Sequence, residues 1–322
     1  MQVQWDILKW RKTFAVVSAL LVVLSVVSLA VRQLNLGLDF TGGTAVEVEY
    51  AQPVDIQALR EFMGDQGYES ATVKFFGSER SVLVQIPPVR EQSDAADTTS
   101  DGGAAKGDLD NVGARVFETL KQFDGQTEVT LSRVDEVGPQ LGDELRDKGG
   151  IAMLVAMGFM LVYVSFRFQF KFALGAVAAL FHDVLITLGL FSLLQMSFDQ
   201  SVMAALLAVI GYSLNDTIVV SDRIRENFSK MRKASPYQIV NGSVQQTLGR
   251  TVVTSLTTLL VLVALAVFGG ESVFGFAIAL LFGVLVGTYS SIFVASNVLL
   301  ALDISKEDFI EQKKGEYVDD LP

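Results

Sequence analysis

A chain of 322 residues, half of them apolar, with a mean hydropathy of +0.41, is too hydrophobic for an ordinary soluble domain. It has no cysteine, which excludes a disulfide framework and thiol chemistry. The net charge of −11 resides in 32–150, where 22 acidic residues stand against 11 basic ones, and an acidic segment of that kind argues against nucleic acid as a partner.

A bilayer core of about 30 Å needs roughly 20 apolar residues in helix. Six segments meet this: 13–31, 151–166, 172–194, 202–220, 251–268 and 273–302. The first follows Lys9, Arg11 and Lys12, and Ser28-Leu29-Ala30 resembles a signal cleavage site; its apolar run is too long for a signal core, so a retained span is expected. Positive charge clusters before span one, between spans two and three (Arg167, Lys171) and after span four (Arg223, Arg225, Lys230, Arg232, Lys233). By the positive-inside rule both termini are cytoplasmic and 32–149 is exterior.

The exterior segment changes periodicity. "TAVEVEY" (44–50) alternates as a half-buried strand, 54–66 reads as an amphipathic helix, and "ATVKFF" (71–76) and "SVLVQI" (81–86) read as strands joined by a turn at Gly77-Ser78. A second helix is expected over 108–123 and a fourth strand over 127–134. The order βαββαβ is the ferredoxin-like split arrangement. The polar stretch 89–107 lacks large apolar residues and is expected to be a mobile loop. The expected organisation is a cytoplasmic N-terminus (1–12), span one (13–31), a periplasmic domain (32–149), a five-span bundle (150–302) with a cytoplasmic loop at 221–250, and an acidic tail (303–322). Within that loop, 222–232 suggests an interfacial helix and Pro236 starts another.

Ionisable and polar groups inside the spans are costly and mark functional candidates. Asp216 lies about 6 Å inside Val220, with Tyr212 and Ser213 on its face and Asn215 beside it on the helix wheel. Arg250 opens span five, with Thr254 and Thr258 at i+4 and i+8. Two readings stand for it: an interface anchor whose neighbouring hydroxyls bond their own helix, or an inward cation that pairs with Asp216. His182 and Asp183 lie near the centre of span three; as sequence neighbours they cannot share one face well, at least one must point toward partners rather than lipid, and a structural hydrogen bond between spans is one reading of the pair. An Asp relieved by a proton beside a movable Arg is the equipment of a proton relay. Span six repeats small residues at every fourth position (Gly275, Ala279, Gly283, Gly287, Ser291, Ala295), which reads as a packing stripe. Gly42-Gly43 reads as a tight turn or positive φ; it is no phosphate loop, because a strand follows it.

"GLDFTGGT" (37–44), "VGPQLGDEL" (137–145), "HD" (182–183) and "GYSLNDTIVVSDRIREN" (211–227) together resemble the SecF family of bacterial protein-export membrane subunits, over nearly the whole chain. The resemblance implies a six-span bundle like half of a resistance-nodulation-division transporter, in the inner membrane. It implies SecD, the SecYEG channel, YajC and an unfolded secretory chain as partners. The implied role is use of the proton motive force in the late, ATP-independent stage of export. It carries proton passage onto Asp216 and Arg250, and makes Asp39, Phe40, Thr41, Gly42 and Gly43 a family motif. No enzyme activity and no cofactor beyond the coupling proton is expected. The alternative is a proton-coupled small-molecule exporter, for which the exterior region is small.

Overall fold

In the computed structural model the described residues are 6–88, 104–123, 128–231, 233–305 and 308, with side chains masked over 104–111. A 3-10 turn, Ile7–Trp10, leads into α1 (Arg11–Val31). A short strand β1 (Asn35–Leu36) and a one-turn helix α2 (Leu38–Thr41) precede the extramembrane domain. That domain comprises β2 (Gly43–Tyr50), α3 (Ile56–Asp65), β3 (Thr72–Phe76), β4 (Ser78–Ile86), α4 (Ala104–Leu120) and β5 (Val129–Val137). Then come α5 (Pro139–Arg167), α6 (Phe170–Leu194), a short β6 (Ser197–Phe198), α7 (Gln200–Lys230), α8 (Pro236–Phe268) and α9 (Glu271–Ala301).

The domain's sheet has the order β3-β4-β2-β5, antiparallel throughout, which is the ferredoxin-like topology. Alternation places Val46, Val48 and Tyr50 of β2, and Val82 and Val84 of β4, beneath Leu59 and Met63 of α3 and Val116 and Leu120 of α4. Asp55 starts α3 by accepting from the amides of Gln57 and Ala58. Burial of Tyr50 under α4, where its hydroxyl donates to the Leu120 carbonyl at 3.2 Å, pushes its phenol above the usual range. Part of the 89–107 expectation is corrected: α4 already begins at Ala104, so 104–107 is helix. Residues 89–103 lie outside the described residues, as does most of the 303–322 tail.

Among the described residues six helices are long and apolar enough to cross a membrane: Ile7–Val31, Pro139–Arg167, Phe170–Leu194, Gln200–Lys230, Pro236–Phe268 and Glu271–Ala301. α9 packs against α6, α7 and α8, and α1 lies against α6 and α9. The small-residue stripe faces inward to α7. A Cβ on Gly283 would meet Val209 Cγ2 at 2.2 Å, so only glycine allows this approach. In the 221–250 segment the expected helix start at Pro236 is present, but both helical pieces are continuous with the spans rather than separate interfacial helices. α7 runs unbroken to Lys230, and α8 starts at Pro236 with Ser235 and Gln238 forming a capping box. The reason is packing. Ile224 and Phe228 of α7 bury against Ile239, Val240 and Val244 of α8, and Asn227 Nδ2 donates to Ser243 Oγ at 2.8 Å. The charged residues Arg225, Glu226 and Lys230 that suggest a surface segment lie on the outer face of this helical hairpin.

The motif at 37–44 is the joint between domain and bundle. Gly42 and Gly43 have φ of +70° and +120°; a Cβ on Gly43 would fall 2.2 Å from the Ile86 carbonyl oxygen. Asp39 Oδ2 accepts from the Gln200 amide at the start of α7 at 2.9 Å, and Phe40 stacks on Phe198. Thr41 Oγ1 donates to the Gly37 carbonyl. β1 pairs in parallel with β6, which ties the first span's exit to the α6–α7 connection. The uncovered face of the sheet looks onto this joint across a 530 Å³ cavity lined in part by Lys74, Phe76, Gln85, Ser197 and Glu271. Lys74 Nζ donates to Ser197 Oγ at 3.1 Å across it, and burial holds its ammonium below the usual lysine range against the opposing pull of Glu271 and Asp199.

Candidate functional site

Two helices, α6 and α7, carry the buried ionisable groups of the bundle, and α9 packs against both. Asp183 on α6 is wholly buried and His182 nearly so, at 5% exposure. Their side chains meet, with His182 Nδ1 2.9 Å from Asp183 Oδ1. The neighbours thus meet more closely than expected, while the expected turn toward protein and the hydrogen bond between spans are both present. α6 is enclosed on several sides, so both positions face protein, and the short carboxylate folds back onto the adjacent ring. Asp183 Oδ2 accepts from Ser213 Oγ of α7 at 2.5 Å and from Ser290 Oγ of α9 at 2.7 Å. One carboxylate thus ties three helices. Ser213 stands out in the sequence by its place one turn from Asp216. Ser290 gives no such signal, being one hydroxyl among the small residues of span six.

Asp216 is 3% exposed, and its Oδ2 has no hydrogen-bond partner among the described residues. Neighbouring buried hydroxyls share that condition: Tyr212 OH and Thr217 Oγ1 on α7, and Thr251 Oγ1 on α8. Arg250 is exposed fourteen positions into α8, and no ion pair within 4.0 Å joins it to Asp216. Its charge is nevertheless the one that acts on Asp216. Ser213 points from the same turn to Asp183, whereas Asn215 is exposed on another side.

The hydroxyls after Arg250 divide. Thr254 Oγ1 donates to its own helix at the Arg250 carbonyl, 2.9 Å, and Thr258 Oγ1 to the Thr254 carbonyl, 3.0 Å. Both are intrahelical bonds of the ordinary kind. Ser255 instead reaches α9, 2.6 Å from Thr288 Oγ1. Near the same end of the bundle, Arg167 closing α5 donates to both oxygens of Asp222 at 3.0 and 3.2 Å, in an exposed pair. Among the described residues no cluster of three or more His, Asp or Glu is arranged to hold a metal ion.

Buried polar atoms are almost always hydrogen-bonded, and in an apolar slab the rule is stricter. A buried carboxylate with a free oxygen, on a helix that carries further unpaired hydroxyls, can bind a proton. It can also accept a group from outside the chain.

Residues 116–305 match the family described as protein export membrane protein SecD/SecF, C-terminal, and residues 27–54 match the SecD/SecF GG motif. The protein translocase subunit SecF of Pseudomonas aeruginosa is 46% identical over 312 residues, which cover 97% of this chain and 96% of that one. The SecF of Escherichia coli O157:H7 is 41% identical over 309 residues, covering 96% and 91%. Among solved structures, SecDF from Thermus thermophilus, described as a translocon-associated membrane protein, is similar with a TM-score of 0.80 at 36% identity. A SecDF in a super-membrane-facing form scores 0.66 at 35% identity, over 93% of this chain. The first match covers 94% of this chain, and the chain spans 39% of the length of either SecDF chain. On the full-length identity to curated SecF subunits and the two matched family segments, the chain is a multi-pass membrane protein belonging to the SecF family of protein translocase subunits.

Proposed function

We propose that this subunit works with SecD as a transport component that converts proton entry into a mechanical bias on a chain undergoing export. The carrying observation is Asp216, which is buried in α7 with an unpartnered carboxylate oxygen in the field of Arg250. Protonation removes the charge that Arg250 attracts; loss of the proton restores it. The two charge states favour different spacings of α7 and α8, which gives the bundle two arrangements. The sheet domain is coupled to α7 through Asp39 and β6, so a shift of α7 is transmitted to it. The different scores against two SecDF structures of nearly equal identity support a fold whose parts take more than one arrangement.

The SecD partner has a suitable surface. Ala204, Ala208, Gly211 and Asn215 form an exposed stripe of small residues along α7, a helix otherwise half buried. A second helix bundle seated there would cover Asn215, the residue next to Asp216. The setting we assign is the inner membrane with cytoplasmic termini, alongside the SecYEG channel and YajC, acting on an unfolded secretory chain with protons as the sole coupling ion.

One charge crossing about 100 mV yields roughly 2.3 kcal/mol. That shifts a two-state equilibrium about fiftyfold, less than the roughly 5.5 kcal/mol of a complete switch. It suffices to hold an extended chain against backsliding. The test is proton entry into vesicles that contain the subunit with SecD, under an imposed pH gradient. Asp216→Asn and Arg250→Gln each reduce it to background; wild-type flux in Asp216→Asn refutes the reading.

A further inference from the structure

We propose that His182 and Asp183 form a second proton-binding station, separate from Asp216, in which the imidazole Nε2 takes up and releases the proton. This goes beyond the Asp216 reading and fails independently of it.

His182 is the chain's single histidine and lies twelve residues from either end of α6, about 18 Å along the axis from each. It is therefore at the depth where an uncompensated charge costs most. Its neighbour Asp183 has three donors around it: His182 Nδ1, Ser213 Oγ and Ser290 Oγ. An ionised carboxylate in the middle of the bundle requires a compensating charge, or it costs several kcal/mol. The groups facing the pair supply no cation. From α7 comes Ser213, with Asp216 one turn further on. From α9 come Ser290 and Tyr289, whose ring lies 6.1 Å from the imidazole and whose hydroxyl is occupied by Ser18 and the Phe14 carbonyl of α1. Among the described residues no lysine or arginine pairs with Asp183.

The imidazole is then the one group able to supply the charge. Nδ1–H remains on Asp183. Nε2 is buried and has no partner among the described residues, so its lone pair is free to take a proton. Uptake turns a pair of net charge −1 into a neutral pair, and release reverses it. A purely structural histidine would have both nitrogens satisfied; an orphaned ring nitrogen beside a fully bonded carboxylate is suited to two protonation states. Through Ser213 the station grips α7 one turn from Asp216, so the charge of the pair bears on the helix that carries the first relay residue.

A single histidine allows a direct reading. The full chain is labelled with [15N]histidine, placed in lipid nanodiscs, and its ring nitrogen shifts are followed from about pH 5 to 9. We expect one protonation step confined to Nε2, with Nδ1 protonated throughout. In Asp183→Asn the midpoint moves by at least about one pH unit, a tenfold change in proton affinity. Asp216→Asn retains the step even as it abolishes proton flux, which separates the two readings. A ring that remains one neutral tautomer across the range overturns the proposal, whether or not any variant folds. So does an unmoved midpoint in a folded Asp183→Asn.

Discussion

Asp183 and Asp216 are buried carboxylates on neighbouring helices, yet they are held in opposite ways. Asp183 has every oxygen engaged, by groups from its own helix, from α7 and from α9. Asp216 keeps one oxygen unpaired among hydroxyls that also lack partners. The contrast follows the packing. α6, α7 and α9 have about half of their apolar windows buried, at 56%, 50% and 50%, whereas α1, α5 and α8 have 17%, 11% and 17%. Asp183 sits where three well-covered helices meet. Asp216 lies on α7, which also packs against α8, a helix with little cover of its own. A closed polar centre locks helices together; an open one can change its charge without dismantling the bundle.

The strongest way to break this comparison is to delete each carboxylate in turn. Asp183→Ala leaves two serine hydroxyls and an imidazole without their acceptor and should cost about 3–5 kcal/mol. Asp216→Ala removes a group with few bonds to lose and should leave the detergent unfolding midpoint nearly unchanged. Equal losses in the two variants would show that the centres are not different in kind.

Next in size is the seam that brings α7 and α9 together around Asp183. Gly283→Leu forces a side chain into Val209 and should cost about 1–3 kcal/mol, seen as a lowered thermal midpoint. The matching change on the open face, Gly211→Leu, meets nothing within 4 Å and should leave the chain as stable as wild type. It should, however, abolish copurification with SecD; undiminished capture would remove that face as the partner surface.

A smaller effect distinguishes the hydroxyls of α8. Ser255→Ala loses a bond to α9 and should cost about 0.6 kcal/mol, while Thr254→Val loses only an intrahelical bond and should cost less. Comparable losses would mean that the whole stripe works between helices.

The smallest effect is at the joint. The folded value of Lys74 lies below its unfolded value, so the docked domain binds fewer protons than the freed one. The docked state therefore gains as pH rises toward the unfolded lysine value and loses that margin as pH falls through the depressed one. The change should be under about 1 kcal/mol, since the side chain is only half buried. A cross-link between β3 and the α6–α7 connection should form more readily at pH 10 than at pH 8, and Lys74→Met should flatten the difference.

Much of this was legible in linear order. The six spans follow from run length, and the βαββαβ domain from a shift between periods of two and 3.6, because both signals are local. Helix lengths were less legible. The extension of α7 to Lys230 depends on Ile224 and Phe228 finding α8, a contact that no local pattern announces. Nor do two-residue strands such as β1 and β6 have a sequence signature. Each exists only because it pairs with the other, 162 residues away.

The sequence by itself determined which groups had to be explained: a carboxylate at 216 and a histidine–aspartate pair at 182–183, within apolar runs where ionisable groups are costly, and an arginine at 250 at the mouth of another such run. Tertiary structure alone decided which carboxylate is closed and which is open. A hydrogen bond requires atoms within about 3 Å, and Ser290 comes to Asp183 from 107 residues away. Cost in a membrane is a property of composition, and sequence states it. Satisfaction is a property of neighbours, and only the packed helices supply them.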